Sequence, residues 1–516
     1  MKARKVTDLL VGLPYVGPAD GADPQVLSLT ADSRTVEPGA LFVAVKGMQS
    51  DGHAYLRQAV AAGARAVVVN RGREVAGLGV PQFGVEDSAR LLGPLAATFY
   101  GHPAAGLHVI AITGTNGKTT CSYLLEEMVR CDGGRPGVLG TVNFRYPGVC
   151  RTASHTTPDP VQLQQLLAEM VEAGVTHVIM EVSSHALQQG RVAGVDFDGA
   201  LFTNLSRDHL DYHGTMEDYF AAKKELFECY LKPGGLAVIV CDGRRGWGDQ
   251  LAKGLCEQGH ARVMTCGPGQ MISSSREKIT LSGISMTVDL AGRQALFSSP
   301  LVGAFNTRNI LAVLGLGLGL GFSVPAMQQA IARSGGAPGR MESVALTGGV
   351  HPKVLVDYAH SPDALRNVLQ TIKSLTRGRL IVVFGCGGDR DRGKRPIMGG
   401  IAVRYADLAI ITSDNPRSEE PGRIIADIEA GMQERGARRV DGDEVGTRAG
   451  QYLVIESRHQ AIAAAIRLAH RDDVVLISGK GHEDYQLTRS GRVHFDDRLE
   501  AKRELEKVWG KAVGAA

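Results

Sequence analysis

The sequence LHVIAITGTNGKTT, at residues 107–120, decides the fold of the central part of the chain. It begins with a mostly apolar run, which is typical of a parallel strand that is buried on both faces. The glycine-rich GTNGKTT follows, and a helical pattern of apolar residues begins after it. A strand, a glycine-rich loop and a helix N-terminus in this order form a phosphate-binding loop in α/β proteins. The stretch therefore predicts an α/β fold with a central P-loop-type domain built on a parallel sheet.

The loop offers the groups that a nucleoside triphosphate needs. Successive backbone N–H groups bind phosphate, Lys118 can reach the terminal phosphates, and the Thr119 hydroxyl is placed to meet Mg²⁺. The usual spacing requires glycine at position 112, where this chain has Ile112, so we expect a tighter loop. An ordinary glycine-rich turn is the alternative. The predicted ATP-binding residues of the loop are Gly114, Thr115, Asn116, Gly117, Lys118, Thr119 and Thr120.

The composition is that of a globular protein with small-molecule ligands. The chain has 516 residues, 44% hydrophobic and 22% charged, and this length suggests about three domains. The net charge is +3 and only 5% of the residues are aromatic. We therefore predict neither nucleic acid nor a membrane as a partner.

Three further features bear on location. Asp8 and Pro14 interrupt the N-terminal apolar run before it could act as a signal peptide, so we predict a cytoplasmic protein. The eight cysteines lack paired or zinc-like spacing and are expected to be buried thiols in a reducing compartment. The apolar stretch 310–327 is long enough for a membrane span. Its alternating glycines instead favour a buried helix that packs closely through them.

Three domains are predicted, at residues 1–105, 106–335 and 336–516. The first combines β, α and β patterns, and the last has a Rossmann-like pattern in which four apolar strands each end in a polar motif. Ligands bind beyond the carboxyl ends of parallel strands, so these motifs are expected to form one binding site. They are DYAH at 357–360, GCGGDR at 385–390, SDNPR at 413–417 and SGKGHE at 478–483. The polar stretch 436–450 is interpreted as a surface insertion without assigned function.

A series of motifs, in chain order, resembles a known family. They are GTNGKTT at 114–120, EVSSH at 181–185, NLSRDHLDYHG at 204–214, AAK at 221–223, GAFNTRN at 303–309 and DYAH at 357–360. The chain resembles the Mur ligase family, ATP-dependent amide-forming enzymes of peptidoglycan precursor synthesis. DNPR at 414–417 and GKGHE at 479–483 resemble the members that add meso-diaminopimelate to UDP-N-acetylmuramoyl-L-alanyl-D-glutamate.

The resemblance implies roles for individual residues. Lys118, Lys223 and His209 would be catalytic, and Lys223 would carry a CO₂-derived carbamate. The Mg²⁺ ligands would be Thr119, Glu181, His209 and carbamylated Lys223. Asn306, Arg340 and Asp357 would contact ATP. The UDP-muramoyl-dipeptide would be bound by Ser33, Met48, Gln49, Ser50, His155, Thr156, Thr157, Ser183, Gln189 and Arg191.

The amino-acid site is predicted from chemistry as well as from resemblance. Diaminopimelate differs from lysine by a second carboxylate, and a guanidinium binds carboxylate through two parallel hydrogen bonds. Arg417 is therefore the candidate partner of that carboxylate, whereas a plain Asn-Pro turn is the alternative interpretation of DNPR. The resemblance implies a diaminopimelate site made of Arg390, Asp414, Asn415, Pro416, Arg417, Gly479 and Glu483.

The implied reaction is the formation of an acyl phosphate on the glutamyl γ-carboxylate, followed by attack of the diaminopimelate amine. We expect a monomer that uses ATP, Mg²⁺ and the two other small-molecule substrates. A lysine-adding ligase of the same family and a folylpolyglutamate synthetase are the alternative enzymes. A nucleotide-binding switch or scaffold without ligase activity is the alternative outside that class.

Overall fold

Three mostly parallel sheets follow one another along the chain, which confirms the predicted α/β class. The computed structural model describes residues 3–47, 50–243, 246–346, 351–445 and 450–510. Within these ranges, no helix combines the length and the apolar character that crossing a membrane requires.

The N-terminal sheet has five strands and is covered on both faces. The strands here are β1 (Arg4–Lys5), β2 (Tyr15–Val16), β3 (Gln25–Val26), β4 (Ser28–Thr30), β5 (Ala40–Val43), β6 (Ala66–Asn70) and β7 (Gln82–Val85), and the helices are α1 (Val6–Leu9), α2 (Leu56–Ala61) and α3 (Ser88–Phe99). The sheet order is β2-β7-β6-β5-β4, with β2 antiparallel, and β1 pairs with β3 apart from it. Because side chains alternate along a strand, Leu41 packs with α3 whereas Phe42 packs with α2.

The central sheet carries the glycine-rich loop. Its strands are β8 (His108–Thr113), β9 (Pro136–Leu139), β10 (Asn143–Tyr146), β11 (Val149–Thr152), β12 (His177–Glu181), β13 (Phe197–Phe202), β14 (Leu231–Val240) and β15 (Arg262–Cys266). Its helices are α4 (Lys118–Cys131), α5 (Pro160–Glu172), α6 (Ser184–Gln188), α7 (Leu210–His213), α8 (Met216–Cys229) and α9 (Trp247–Gln258). These strands run in the order β11-β10-β9-β12-β8-β13-β14-β15, and those from β9 to β15 are parallel. The carboxyl ends of β8, β12 and β13 therefore lie side by side.

The predicted buried helix is present but shorter than the apolar stretch 310–327. After β16 (Ile272–Thr280), β17 (Gly283–Leu290) and β18 (Arg293–Ser299), the chain forms α10 (Ala304–Gly319) and α11 (Val324–Arg333). The helix ends before Gly321, whose φ of +87° is left-handed. Close packing through glycine is confirmed, because an added Cβ at Gly317 or Gly319 would lie 2.5 Å from Met128 Sδ or Leu236 Cδ2, respectively.

The C-terminal sheet has seven strands and is also covered on both faces. The strands are β19 (Glu342–Val344), β20 (Lys353–Asp357), β21 (Leu380–Phe384), β22 (Leu408–Ile411), β23 (Arg438–Arg439), β24 (Gln451–Val454) and β25 (Val474–Ser478), followed by the separate hairpin β26 (Tyr485–Thr488) and β27 (Gly491–His494). The helices are α12 (Pro362–Leu375), α13 (Lys394–Tyr405), α14 (Pro421–Gln433), α15 (Arg458–Leu468) and α16 (Asp497–Trp509). The order β19-β20-β25-β21-β22-β24-β23 places the four predicted polar motifs at neighbouring strand ends.

The chain forms two compact units. The first comprises Met1–Ser273, Asp289–Gln294 and Arg308–Ala330, and the second comprises Ser274–Val288, Ala295–Thr307 and Ile331–Ala516. The glycine-rich loop lies in the first unit, whereas all four polar motifs of the C-terminal sheet lie in the second.

The prediction that all cysteines are buried was wrong for part of the set. Every cysteine is a free thiol, and those at 121, 241, 266 and 386 are buried. Cys150, Cys229 and Cys256 are exposed, and Cys131 is half-buried. The three exposed thiols lie on β11, α8 and α9, where composition and spacing gave no sign of which face each residue occupies.

Candidate active site

The glycine-rich loop connects β8 directly to α4, and only four residues separate Thr113 from Lys118. This is the tighter loop that the sequence predicted. Gly114 has a φ of +142°, and an added Cβ there would lie 2.0 Å from Thr203 Oγ1, so the position requires glycine. Lys118 Nζ folds back over the loop and donates to the carbonyls of Gly114 and Thr115 at 2.7 and 2.9 Å.

Glu181 ends β12 beside this loop and is 1% exposed. Its Oε2 accepts hydrogen bonds from the hydroxyls of Thr119 and Thr141, both at 2.9 Å, and its Oε1 accepts the Thr141 N–H at 3.2 Å. The structure thus brings together two of the predicted metal ligands, Thr119 and Glu181. Thr141 was not predicted as a member of this group.

Lys223 is buried on α8, whereas its neighbour Lys224 is only half-buried. Lys223 Nζ donates to the Gly114 carbonyl at 3.0 Å and lies 4.6 Å from the centre of the Tyr219 ring. Burial lowers the pKa of Lys223 well below its ordinary value, and the Lys118 ammonium lowers it further, with an opposing effect of Asp208. The predicted lysine is therefore placed at the loop in an environment that favours the neutral amine.

His209 lies in a cluster of aromatic rings next to Lys223. Its ring centre is 5.0 Å from that of His185 and 6.1 Å from that of Tyr219. The His209 side chain is 48% exposed, and its Nε2 lies 3.6 Å from Asp208 Oδ2. Lys223 and His209 therefore both flank Tyr219, but no contact among the described residues joins His209 to Glu181.

The donors at the loop fit a magnesium ion that shares its ligands with a nucleotide. Mg²⁺ takes oxygen ligands, commonly one or two carboxylates together with substrate phosphates and waters. Glu181, with the Thr119 hydroxyl beside it, supplies such a donor set. Across the described ranges, no three His, Cys, Asp or Glu side chains lie close enough together to form a metal site of their own.

The predicted dipeptide-binding residues form a connected chain at the end of β12. Thr157 Oγ1 donates to the Glu181 carbonyl at 2.9 Å and accepts the Ser183 N–H at 3.1 Å. Arg191 donates to the Thr157 carbonyl at 3.2 Å and to Gln189 Oε1 through Nε at 2.9 Å. Four predicted residues are thus tied to the strand end that carries the Glu181 carboxylate.

The neighbouring residues are held more loosely. Thr156 Oγ1 lies 3.1 Å from Thr141 Oγ1, which joins it to the Glu181 group. His155 is exposed, and its Nδ1 lies 3.3 Å from Ser154 Oγ. This contact does not connect His155 to the Glu181 group.

The predicted uridine site lies on the N-terminal sheet and is described only in part. Ser33 is half-buried in the turn after β4, between Asp32 and Arg34, which form an exposed ion pair at 2.6 Å. Ser50 is exposed. Met48 and Gln49 lie outside the described residues, so their prediction stays as it was.

Three predicted nucleotide contacts lie in the second unit. Asp357 ends β20, is buried, and accepts two backbone N–H groups at 2.7 and 2.8 Å. Burial raises the pKa of Asp357, and the Arg340 guanidinium opposes this rise. Arg340 lies over the Tyr358 ring, 4.6 Å from its centre. Asn306 is buried separately and donates to the Val302 carbonyl at 2.8 Å.

The ends of β22 and β25 place the predicted amino-acid ligands in one group. Asn415 Nδ2 donates to Glu483 Oε2 at 2.9 Å. Lys480 Nζ lies 3.2 Å from Asn415 Oδ1 and 3.5 Å from both Asp414 Oδ1 and Glu483 Oε2. An added Cβ at Gly479 would lie 3.2 Å from Asp414 Oδ2, so the loop backbone passes close to this carboxylate. Two acids, an amide and a buried ammonium therefore form one cluster.

Of the two predicted arginines, Arg390 lies in the loop after β21 and Arg417 lies beside that loop. Arg417 has a left-handed φ of +52° and donates to the Gly388 carbonyl at 2.7 Å. An added Cβ at Gly387 would lie 2.9 Å from an Arg417 nitrogen and 3.8 Å from Arg390 Cγ. Pro416 lines the same segment, because its carbonyl oxygen would be 2.0 Å from a Cβ at Gly388. DNPR thus forms a turn, and the binding of diaminopimelate by Arg417 stays a prediction.

Sequence reasoning missed several members of these groups. Asn204 contacts the glycine-rich loop, because its side-chain oxygen accepts the Asn116 N–H at 3.0 Å. Thr141 bonds Glu181, and Tyr219 lines Lys223. Lys480 was quoted within GKGHE without a role. Asn204 belongs to the motif NLSRDHLDYHG, and its position at the end of a strand is the signal that could have identified it.

Comparison with known protein families gives three matches along the chain. The Mur ligase family, catalytic domain, matches residues 25–100, the Mur ligase middle domain matches 112–317, and the Mur ligase, glutamate ligase domain, matches 339–481. The middle-domain match includes the loop, Glu181 and Lys223, and the glutamate ligase domain match includes DNPR.

Whole-length relatives agree with these matches. A UDP-N-acetylmuramoyl-L-alanyl-D-glutamate–2,6-diaminopimelate ligase from Geobacter metallireducens is 43% identical over 499 residues, which covers 95% of this chain and 96% of the relative. One of the same name from Geobacillus kaustophilus is 42% identical and covers 98% and 99%. A solved structure of that name is 34% identical, with a TM-score of 0.67 and coverage of 94% and 95%. The chain belongs to the Mur ligase family.

Proposed function

We propose that this chain uses ATP to add meso-diaminopimelate to the D-glutamate γ-carboxylate of UDP-N-acetylmuramoyl-L-alanyl-D-glutamate, a step of peptidoglycan precursor synthesis. The observation that carries the proposal is the cluster at the ends of β21, β22 and β25, where acids and guanidinium groups lie together. The distal carbon of diaminopimelate bears an ammonium and a carboxylate, and this cluster offers partners for both. Relatives that bear the corresponding name over nearly their whole length support the assignment.

The first step is phosphoryl transfer to the substrate. The γ-carboxylate attacks the γ-phosphorus of ATP. The bond from this phosphorus to the oxygen that bridges the β- and γ-phosphates breaks, and ADP leaves. The Lys118 ammonium, now folded over the loop carbonyls, would turn to the phosphates and offset their charge. Glu181 and Thr119 would hold a Mg²⁺, whose charge, when bound, further neutralises the phosphates.

We infer that Lys223 carries a carbamate, with His209 as a further metal ligand, as the family resemblance implies. Only a neutral amine adds CO₂, and the burial of Lys223 favours that form. The resulting anion would lie beside the loop carbonyl that Lys223 Nζ now contacts. The ring of Tyr219 covers this lysine and limits access of water to it.

The second step is attack of an amine on the acyl phosphate. The neutral amine nitrogen forms a bond to the acyl carbon, the tetrahedral oxyanion collapses with release of inorganic phosphate, and the nitrogen gives up one proton to solvent. Asp414 and Glu483 would bind the ammonium at the other end of the amino acid, and Arg417 and Arg390 the carboxylate beside it. These contacts orient the reacting amine and select the substrate.

Several coarser predictions belong to the same proposal. We also propose domain boundaries near residues 105 and 335, and the gaps between the three family matches, at 101–111 and 318–338, support this proposal. A monomer in the cytoplasm is expected for an enzyme of soluble small-molecule substrates. The nucleotide contacts of Asn306, Arg340 and Asp357, and the uridine contacts of Ser33 and residues 48–50, stay predictions.

Phosphate release tests the proposal directly. With ATP and Mg²⁺ present, each of the two other substrates is omitted in turn. The ligase predicts release only in the complete mixture, together with a muramoyl tripeptide product detected by mass spectrometry. Release from ATP without a muramoyl substrate would instead indicate a nucleotide switch, and release with a different acceptor would indicate another ligase.

A further inference from the structure

Lys480 is an unusual residue in the amino-acid cluster because its side chain is fully buried. Burying an ammonium is costly unless charged or polar groups surround it. The flanking glycines impose its position: Gly479 and Gly481 have φ of +121° and +54°, and a Cβ at Gly481 would lie 2.6 Å from Tyr358 Cβ. The loop is therefore built to turn this lysine inward.

The ammonium lies between two acids without closing on either. It is 3.5 Å from both Asp414 Oδ1 and Glu483 Oε2, and its shortest contact is Asn415 Oδ1 at 3.2 Å. Tight charge-assisted hydrogen bonds are shorter, at about 2.7–2.9 Å. Within the described residues, Asp414 Oδ1 accepts no hydrogen bond although it is buried. This acceptor is thus kept in place next to a cation and retains capacity for a second donor.

A charge count can be made for Asp414, Glu483 and Lys480, the three charged side chains in mutual contact. The Arg417 and Arg390 guanidinium groups are left out of it because the proposed function assigns them to the carboxylate of the amino acid. Asp414 and Glu483 carry two negative charges, Lys480 carries one positive charge, and the buried Arg458 is already paired with Asp497 at 2.6 Å. The acids and the lysine together therefore have a net charge of −1. One further ammonium would neutralise the cluster, whereas a neutral side chain would leave a buried charge uncompensated.

We propose that Lys480 is a positioning and specificity-determining residue, which keeps Glu483 ionised beside Asp414 so that the pocket binds an amino acid with a distal ammonium group. The inference rests on the proposed function, because it assumes that this cluster is the acceptor site. Lys480 acts through the two acids, not by touching the reacting amine.

The electrostatics around Glu483 agree with this role. Burial raises the pKa of Glu483, the Asp414 carboxylate raises it further, and Lys480 and the Asn415 amide oppose both effects. Tyr358 and Tyr485 also face Glu483, and Arg458 lies near it. Without the Lys480 ammonium, the pKa of Glu483 would rise further, and a larger fraction of Glu483 would be protonated at a given pH.

The test uses the full-length protein with the variant Lys480→Met, which keeps the length of the side chain but removes the charge. Phosphate release is measured at increasing meso-diaminopimelate concentrations between pH 7 and pH 9. We expect KM for meso-diaminopimelate to rise at least about tenfold at pH 7, the scale of one lost charge contact, with little change in KM for ATP. The defect should shrink as pH rises, because a higher pH restores the Glu483 carboxylate. A defect of equal size at every pH would overturn the proposal.

Two further variants separate this role from a structural one. Lys353→Met removes a half-buried lysine at the far end of β20 from the cluster and should leave KM unchanged. In a Glu483→Gln background, Lys480→Met should cost much less than alone, because no carboxylate remains to be ionised. Additive effects of the two substitutions would contradict the coupling.

The remaining outcomes are also decisive. If Lys480→Met does not fold, Lys480→Gln, which also removes the charge, takes its place in the same pH series. A KM defect of equal size at every pH in that variant would overturn the idea. If the wild-type protein does not use meso-diaminopimelate at all, the proposed function fails first. If the wild-type protein uses meso-diaminopimelate and Lys480→Met has the same KM for it, only the role of Lys480 is refuted.

Discussion

Replacing Arg417 with lysine should weaken recognition of the second carboxylate of diaminopimelate. The Arg417 guanidinium is fixed by its bond to the Gly388 carbonyl and by the left-handed φ of +52° that the DNPR turn imposes. Lysine keeps the charge and the Cβ, so the backbone strain is the same in both proteins. It loses the planar fork that binds a carboxylate through two parallel hydrogen bonds.

The size of the effect follows from the contact that is lost. One charge-assisted hydrogen bond contributes about 1.5–3 kcal/mol. At roughly 1.4 kcal/mol per factor of ten, KM for meso-diaminopimelate should rise about 10- to 150-fold. L-Lysine has no distal carboxylate, so its inhibition constant in the same assay should change less than about threefold, within the contribution of an exposed ion pair.

The assay is phosphate release with saturating ATP and muramoyl substrate. Arg489→Lys is the matched control, because Arg489 is an exposed arginine nearby that pairs with Glu420. The KM of this variant for meso-diaminopimelate should match that of the wild type. Equal losses for meso-diaminopimelate and L-lysine would show that Arg417 only shapes the turn. An unchanged KM for meso-diaminopimelate would refute the assignment of Arg417 to the carboxylate.

Three further predictions concern Lys223 on α8, a buried ion pair and the half-buried His482. Lys223→Ala should lower turnover about 100-fold or more, and added acetate or propionate should restore part of the lost turnover. The matched variant Lys224→Ala should keep wild-type turnover. Full activity of Lys223→Ala would contradict the carbamate. Asp497→Ala should lower the free energy of unfolding in urea by about 3–5 kcal/mol, because it leaves the fully buried Arg458 without its partner; a loss below about 1 kcal/mol would show that the pair is not what holds this region. Burial lowers the pKa of His482 to about 4 from an ordinary 6.5, so the unfolded chain binds a proton more readily and stability should fall as pH drops from about 6.5 to about 4. In urea titrations the fall should be smaller for His482→Gln, and an identical pH dependence in both proteins would contradict this cause.

The strand ends could be predicted from the sequence because the signal is local. Each parallel strand is a short apolar run followed at once by polar residues, and the runs at Leu380–Phe384 and Leu408–Ile411 have the bounds that the sequence suggested. The same holds for the loop after Thr113. The rule that ligands bind at the carboxyl ends of parallel strands then brought the motifs into one group without any knowledge of their contacts.

The sequence could not show which side chains from distant motifs contact one another. Lys223 and Lys224 look alike on a helix, and only the packing of α8 decides that Lys223 is buried and Lys224 is not. Lys480 belongs to a quoted motif, yet its position between two acids depends on the path of a glycine-flanked loop. Thr141 bonds Glu181 from 40 residues away, and its sequence surroundings give no sign of that contact.

The measurement that tests the central claim most directly is a competition between two amino acids. The wild-type protein is given ATP, Mg²⁺, UDP-N-acetylmuramoyl-L-alanyl-D-glutamate and equimolar meso-diaminopimelate and L-lysine, and the tripeptide products are separated by mass. The arrangement of Arg417, Asp414 and Glu483 predicts that the diaminopimelate product exceeds the lysine product by at least about tenfold, in line with one charge-assisted contact. A predominance of the lysine product would contradict the assignment of the acceptor site, and the absence of both products would contradict the proposed reaction.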